Sequence, residues 1–220
     1  MKILLCDDHR LMRDGLRVLL EREGLGVIGE AANGWEVMAL AAELQPDIVV
    51  MDISMPELNG IDATRRLLAK FPTIKVIGLS MNSDRRYVVA MFAAGAVGYL
   101  LKSCAAEELI QAVRAVAADL KYVSPAVAGS FLDDYLNHPN AAHLLPGNPA
   151  PGVGRPLSSR EREVLQLLAE GRSSKDIAAR LDIAATTVET HRRQIMDKLH
   201  LRTIAELTKY AVREGLTSLE

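Results

Sequence analysis

The sequence predicts a five-stranded parallel, doubly wound α/β domain followed by an all-α domain of four helices. Three observations carry this expectation. Strand-like apolar runs alternate five times with segments of helical period; the third run is apolar throughout and ends in an acid; and everything after a Pro- and Gly-rich stretch has helical period. The boundaries that follow are 1–118 for the α/β domain, 119–155 for a linker that is partly helical and then flexible, and 156–220 for the helical domain.

The strand-like runs fall at about 2–6, 25–30, 47–52, 74–79 and 97–101, and the helical segments at about 10–22, 34–44, 61–70, 84–93 and 105–118. Asp47-Ile-Val-Val-Met-Asp52 has four consecutive apolar residues, as a parallel strand buried on both faces requires, and the Pro56-to-Gly60 stretch behind it reads as a tight turn. Asn33-Gly34 opens the second helix, Pro46 follows its end, and Pro72 follows the third. Right-handed crossovers place every strand-to-helix loop on one edge of the sheet. Asp7, Asp8, Asp52, Ser80 and Lys102 all fall on that edge, where open α/β sheets keep their chemistry.

Within the linker, 125–136 is amphipathic enough for a short helix, and prolines and glycines punctuate 138–155. Beyond it, Ser158 or Ser159 caps a helix, with Glu161 or Glu163 placed to complete a capping box and Val164, Leu165, Leu167 and Leu168 as the apolar face. Gly171 ends that helix and Ser174 begins a second, reaching Leu181. A short turn leads to a third at 185–199, and Thr203 starts a fourth running to about Glu214. Two short helices joined by such a turn form a helix-turn-helix, whose second helix enters the major groove of DNA.

Composition narrows the function classes. The apolar fraction of 49% and the charged fraction of 25% are those of an ordinary globular protein, and the net charge of -2 implies no polyanion partner by itself. That average conceals an asymmetry: residues 1–154 carry 14 Lys/Arg against 18 Asp/Glu, whereas 155–220 carry 12 against 10. Cys6 and Cys104 are too few for a disulfide framework, and Cys6, inside a strand, reads as a buried free thiol. No apolar run approaches the ~18 residues of a membrane span, so a cytoplasmic location with no membrane partner is expected.

Three convergent carboxylates are tolerated only with a cation or a shared proton. A carboxylate attacks phosphorus poorly unless a divalent cation screens the incoming charge, and Asp8 and Asp52 offer the hard oxygen ligands that Mg²⁺ prefers. Once Asp52 carries phosphate, the Lys102 ammonium and the Ser80 hydroxyl would meet the added charge. These are the parts of an aspartyl-phosphate switch. A Mg²⁺-dependent phosphohydrolase would need a second acid two residues after the nucleophile, and Ser54 stands there. The expectation is therefore no enzyme, with self-phosphorylation and self-dephosphorylation at most.

The first 118 residues resemble the receiver domain of bacterial two-component response regulators, through Asp7-Asp8, Met51-Asp52-Ile-Ser-Met-Pro56 with Gly60, Ser80, and Gly95-Ala-Val-Gly-Tyr-Leu-Leu-Lys102. The resemblance implies a flavodoxin-like fold with Asp52 as phosphoacceptor. It also implies Mg²⁺ on Asp8, Asp52 and the backbone carbonyl of Ser54, with Asp7 acting mostly through water. Ser80 would move toward the phosphate and Tyr99 would change rotamer in response. Ser103 follows the lysine where many receivers have proline.

The tail resembles the LuxR-type helix-turn-helix, through Leu157-Ser-Ser-Arg-Glu-Arg-Glu-Val-Leu165, Lys175-Asp-Ile-Ala-Ala-Arg-Leu181, Thr187-Val188, His191 and Lys198-Leu199. Joined to a receiver, it resembles the NarL/FixJ class of response regulators. That implies a sensor histidine kinase as phosphodonor, promoter DNA with an inverted repeat as target, and an active homodimer through 203–214, with Ile204, Leu207 and Val212 as its apolar face. Glu189, Thr190 and Arg193 would face bases, and Thr187, Arg192 and Lys198 phosphates. Glu189 suits cytosine N4 and Arg193 suits guanine, whereas His191 has no second ligand at zinc spacing. Ala184 departs from the serine that often caps the recognition helix, a loss on the order of 1 kcal/mol unless Asp182 substitutes. The alternative is a phospho-switch acting through protein contacts without DNA binding.

Overall fold

The computed structural model describes residues 1–81, 83–104, 106–129 and 157–217; the stretch expected to be flexible, 138–155, lies outside them. The chain folds as two compact units. In the first, β1 (Lys2–Cys6), β2 (Gly26–Ala31), β3 (Ile48–Asp52), β4 (Lys75–Ser80) and β5 (Gly98–Leu101) alternate with α1 (Arg10–Arg22), α2 (Gly34–Leu44), α3 (Gly60–Lys70), α4 (Arg85–Ala93) and α5 (Ala106–Ala117). All strands pair in parallel. The order is β2-β1-β3-β4-β5, extended at the edge by a sixth strand, β6 (Tyr122–Val123).

The sixth strand corrects the five-stranded expectation. Tyr122 donates its amide to the Val97 carbonyl at 3.0 Å and Ser124 donates to that of Tyr99 at 2.9 Å, so the opening residues of the expected linker extend this sheet. Two residues are too short for the period-2 pattern that betrays a strand in sequence. A helix, α6, then begins; its described part is 125–129, and the rest of the expected helix lies outside the described residues.

Alternation along the central strands divides the core. Ile3, Leu5, Ile48, Val50, Ile77 and Leu79 pack with Leu16 and Leu20 of α1 and Leu109, Ile110 and Val113 of α5. The intervening Leu4, Val49, Met51 and Val76 are buried as well, so β1, β3 and β4 are apolar on both faces. Caps set the helix starts as anticipated: Asn33 accepts from the amides of Trp35 and Glu36, and Asn59 from that of Asp62.

In the second unit α7 (Ser159–Ala169), α8 (Ser174–Leu181), α9 (Ala185–Leu199) and α10 (Ile204–Arg213) enclose Val164, Leu165, Ile177, Val188, Ile195, Leu207 and Ala211. Capping boxes open three of the four helices, at Ser158 with Glu161, Ser173 with Asp176, and Thr203 with Glu206. The second helix is thus capped one residue before Ser174. Ala184 makes no side-chain cap on α9, and Asp182 does not replace it, being the left-handed residue that ends α8. Leu207 is fully buried inside this unit, which takes it out of the expected dimer face, while Ile204 stays 44% exposed.

Gly60 determines how closely the third helix approaches the end of β3. Its amide donates to the Ile53 carbonyl at 2.9 Å, and a Cβ on it would stand 2.0 Å from the Asp52 carbonyl oxygen. That oxygen belongs to backbone and has no rotamer to escape into. Gly60→Ala is therefore expected to destabilise the first unit by about 3 kcal/mol, read in urea unfolding through Trp35, the chain's single tryptophan. An unchanged midpoint would disprove the close approach.

Candidate functional site

The ends of β1, β3, β4 and β5 meet on one edge. Backbone bonds fix them there: Ile53 donates to the Leu79 carbonyl at 3.0 Å, Lys102 to that of Ser80 at 2.7 Å, and Asp7 to that of Ala31 at 3.1 Å. The Lys102 ammonium lies 2.7 Å from Asp7 Oδ2 and 2.9 Å from Asp52 Oδ2. All three side chains are almost wholly buried. The Ser54 amide donates to Asp52 Oδ1 at 3.2 Å, and the His9 amide donates to Asp7 Oδ1 at 2.9 Å. Asp8, less buried, is held by His9, whose Nδ1 is 2.9 Å from Asp8 Oδ1.

Four of the five residues that the sequence puts at strand ends, Asp7, Asp8, Asp52 and Lys102, thus converge around one point, whereas Ser80 is bonded to Tyr99. The Tyr99 ring is fully buried and its hydroxyl shares a hydrogen bond with the Ser80 side chain. Cys6 is the expected buried thiol, with Sγ 3.2 Å from Met55 Sδ. Sequence reasoning overlooked His9, although it directly follows the acidic pair. It also overlooked Arg13, whose Nη1 donates to the Asp7 carbonyl at 2.6 Å.

On α9, Val188 and Ile195 point inward, while Thr187, Glu189, Thr190 and Arg193 are exposed and Arg192 is half-buried. Glu189 is not a free side chain. It accepts a hydrogen bond from the Ser174 hydroxyl of α8 and lies 3.7 Å from Arg192 Nη1. Lys198 is engaged differently from the sequence expectation of a phosphate contact: its ammonium sits 2.7 Å from Oε2 of the buried Glu161, the carboxylate that completes the first capping box. His191 is half-buried, as expected of a packed residue.

Two family matches divide the chain in the same way. Residues 3–114 match the response regulator receiver domain, and residues 155–211 match the bacterial regulatory proteins of the luxR family. The protein belongs to the two-component response regulators of the NarL/FixJ class. Among similar relatives, the oxygen regulatory protein NreC of Staphylococcus haemolyticus is 36% identical over 98% of this chain and 99% of its own length. The response regulator GacA of Pseudomonas aeruginosa is 36% identical over 98% of this chain and 97% of its own. Among solved structures, RcsB of Salmonella enterica serovar Typhimurium, bound to promoter rprA in the presence of phosphomimetic BeF3⁻, is 26% identical. That match has a TM-score of 0.60 and covers 96% of this chain and 98% of RcsB. Among the described residues of this response regulator, no helix is long and apolar enough to cross a membrane.

Charge at the acidic site is out of balance. Burial first, and the Asp7 carboxylate second, push the Asp52 pKa up to about 7, against the pull of Lys102 and the Ser54 amide. Burial works to lower the Lys102 pKa, but Asp52 and Asp7 outweigh it and the net shift is upward. One ammonium faces three carboxylates, and ligand atoms of Asp7, Asp8, His9 and Asp52 lie within 4.8 Å of one another. Oxygen donors so gathered, with surplus negative charge, fit a hard divalent cation.

The raised Asp52 pKa fixes the sign of a pH dependence. The folded chain holds this proton more tightly than the unfolded chain does. Stability is therefore gained as pH falls from about 7 toward the ordinary carboxylate range, and lost as pH rises through 7. In metal-free buffer the urea midpoint read through Trp35 is expected to fall between pH of about 5 and 8 in the wild type. In Asp52→Asn it should stay nearly level and exceed the wild type at the upper end by on the order of 1 kcal/mol. Equal profiles would mean that another group carries the charge.

Proposed function

We propose that this response regulator accepts a phosphoryl group on Asp52 from a sensor histidine kinase and converts the new charge into promoter binding by α9. The observation that carries the reading is the Lys102 ammonium bridging Asp7 and Asp52 at the carboxyl ends of β1, β3 and β5. A buried carboxylate so placed has one oxygen held by a backbone amide and the other against a cation. An Asp52 oxygen attacks phosphorus, the bond to the donor's leaving group breaks, and the acyl phosphate that results carries charge for Lys102 to meet. Asp8, Asp52 and the Ser54 carbonyl would hold Mg²⁺, with Asp7 kept further from it by its bond to Lys102. The ion supplies charge screening for the incoming phosphoryl group.

Transmission starts at the Ser80–Tyr99 hydrogen bond. A phosphoryl oxygen at Asp52 is a stronger acceptor than a phenol, so the Ser80 hydroxyl turns to it and Tyr99 loses its partner. A fully buried ring cannot change rotamer without altering the packing between α4, β5 and α5, and this is the face through which the switch acts. The RcsB relative was solved on promoter DNA with a phosphomimetic, which supports the same pairing of charge and DNA binding here.

For the DNA, Arg193 reads guanine and Glu189 accepts from cytosine N4, with Thr190 beside them; Thr187 and Arg192 contact phosphates. Lys198 would reach a phosphate only by leaving Glu161. A homodimer of this chain predicts an inverted-repeat site.

Phosphoryl transfer from a labelled small acyl phosphate should give a base- and hydroxylamine-labile product on the wild type and none on Asp52→Asn. Undiminished labelling of the variant overturns the assignment. At fixed salt, Arg193→Ala is expected to weaken specific DNA binding by roughly 1–3 kcal/mol. Ser174→Ala, which removes one of the two contacts that hold the Glu189 carboxylate, should reduce discrimination at the base that Glu189 reads while leaving the salt slope unchanged. A changed slope with intact discrimination would assign Ser174 to phosphate contact.

A further inference from the structure

We infer that His9 makes the phosphoacceptor site a mixed nitrogen and oxygen site, which takes borderline divalent ions such as Ni²⁺, Co²⁺ and Mn²⁺ with an imidazole ligand as well as Mg²⁺ with oxygen alone. The inference rests on the reading of the acidic cluster as a cation site. Nδ1 of His9 stands 2.9 Å from Asp8 Oδ1 and 3.4 Å from Asp7 Oδ1. Neighbouring ligands of an octahedral ion with bonds of ~2.1 Å are about 3 Å apart. The imidazole nitrogen and the Asp8 oxygen are therefore already at the separation of adjacent corners of one coordination sphere, with Asp7 Oδ1 just outside it.

The backbone holds this arrangement. His9 is the N-cap residue of α1, yet its side chain makes no capping bond to the helix. Its amide is instead tied to Asp7 Oδ1 at 2.9 Å, which keeps residue 9 against the cluster and leaves the ring turned toward the two carboxylates. An imidazole nitrogen so placed can donate to Asp8 or offer its lone pair to an ion, according to the tautomer of the ring. The ring is two-thirds exposed, so solvent can interconvert the two tautomers.

Ligand chemistry then sets the preference. Carboxylate and carbonyl oxygens suit Mg²⁺ and Mn²⁺, and one added imidazole favours the later divalent ions, whose affinities for nitrogen rise along the series from Mn²⁺ to Ni²⁺. A phenylalanine or glutamate at position 9 would offer no such ligand. The identity of the bound ion, and with it the charge screening at Asp52, depends on a residue that contributes nothing to the oxygen-only site.

The test uses the untagged full chain with Mg²⁺ and Ni²⁺ in competition, in the wild type and in His9→Ala and His9→Asn, together with pulsed EPR of one equivalent of Mn²⁺. Both replacements are at an exposed position and are expected to fold. The ratio of Ni²⁺ to Mg²⁺ affinity should fall at least tenfold in each variant. Modulation from a directly bound ¹⁴N should be present in the wild type and absent in both. An unchanged ratio, or a wild-type spectrum without nitrogen coupling, alongside measurable Mg²⁺ binding, overturns the role of His9 and leaves the cation site standing. No Mg²⁺ or Ni²⁺ binding by the wild type overturns both.

Discussion

Two carboxylates and one ammonium share a nearly water-free space, and the receiver is arranged so that they must. Lys102 reaches Asp7 and Asp52 at hydrogen-bonding distance while all three are buried, so each charge has lost its solvation and depends on the others. Burial first, and the neighbouring Asp7 carboxylate second, keep the Asp52 proton affinity high against the pull of Lys102. An ordinary surface aspartate would be fully ionised and solvated at neutral pH. This one is held in an unfavourable state that a divalent cation at the cluster would relieve, which would link cation binding to stability through the same charges.

Strand order explains why the three meet. In the order β2-β1-β3-β4-β5, the chain passes from β1 outward to β2 and then returns to place β3 on the other side of β1. The loops after β1 and β3 therefore diverge to opposite faces and leave a crevice between them, the switch point at which open α/β sheets bind ligands. Asp7 and Asp8 end one strand and Asp52 ends the other. Register brings the remaining groups in: Asp52 pairs with Leu79, and Ser80 pairs with Leu101, one residue before Lys102. Gly60 completes the crevice by letting α3 start against the Asp52 carbonyl, where any Cβ would push the strand end away.

Much of this was legible because it depends on local sequence. Strand ends follow from apolar runs and helix starts from capping residues, and the right-handed crossover alone puts Asp7, Asp52, Ser80 and Lys102 on one edge. What was not legible depends on partners distant in the chain. The pairing of Lys198 with Glu161, thirty-seven residues earlier, leaves no trace in the local sequence. Leu207 reads as a dimer face on a helical wheel, and only the packing of α10 on α7 shows it inside. The bond from Ser174 to Glu189 joins two helices whose mutual placement no periodicity specifies. The sixth strand was missed for the opposite reason: it is local, but at two residues it is too short for any pattern.

The helical unit shows the same dependence on partners at its reading helix. Three of its helices start with capping boxes, whereas α9 starts at Ala184 with no side chain to satisfy its first amides. Its own end does little to fix where it begins, so its position is fixed by what it buries and what it binds: Val188 and Ile195 in the core, Lys198 on Glu161, and Glu189 on Ser174. The Lys198–Glu161 pair ties the end of α9 to the capping box of α7. A helix that takes its placement from neighbours moves when they move.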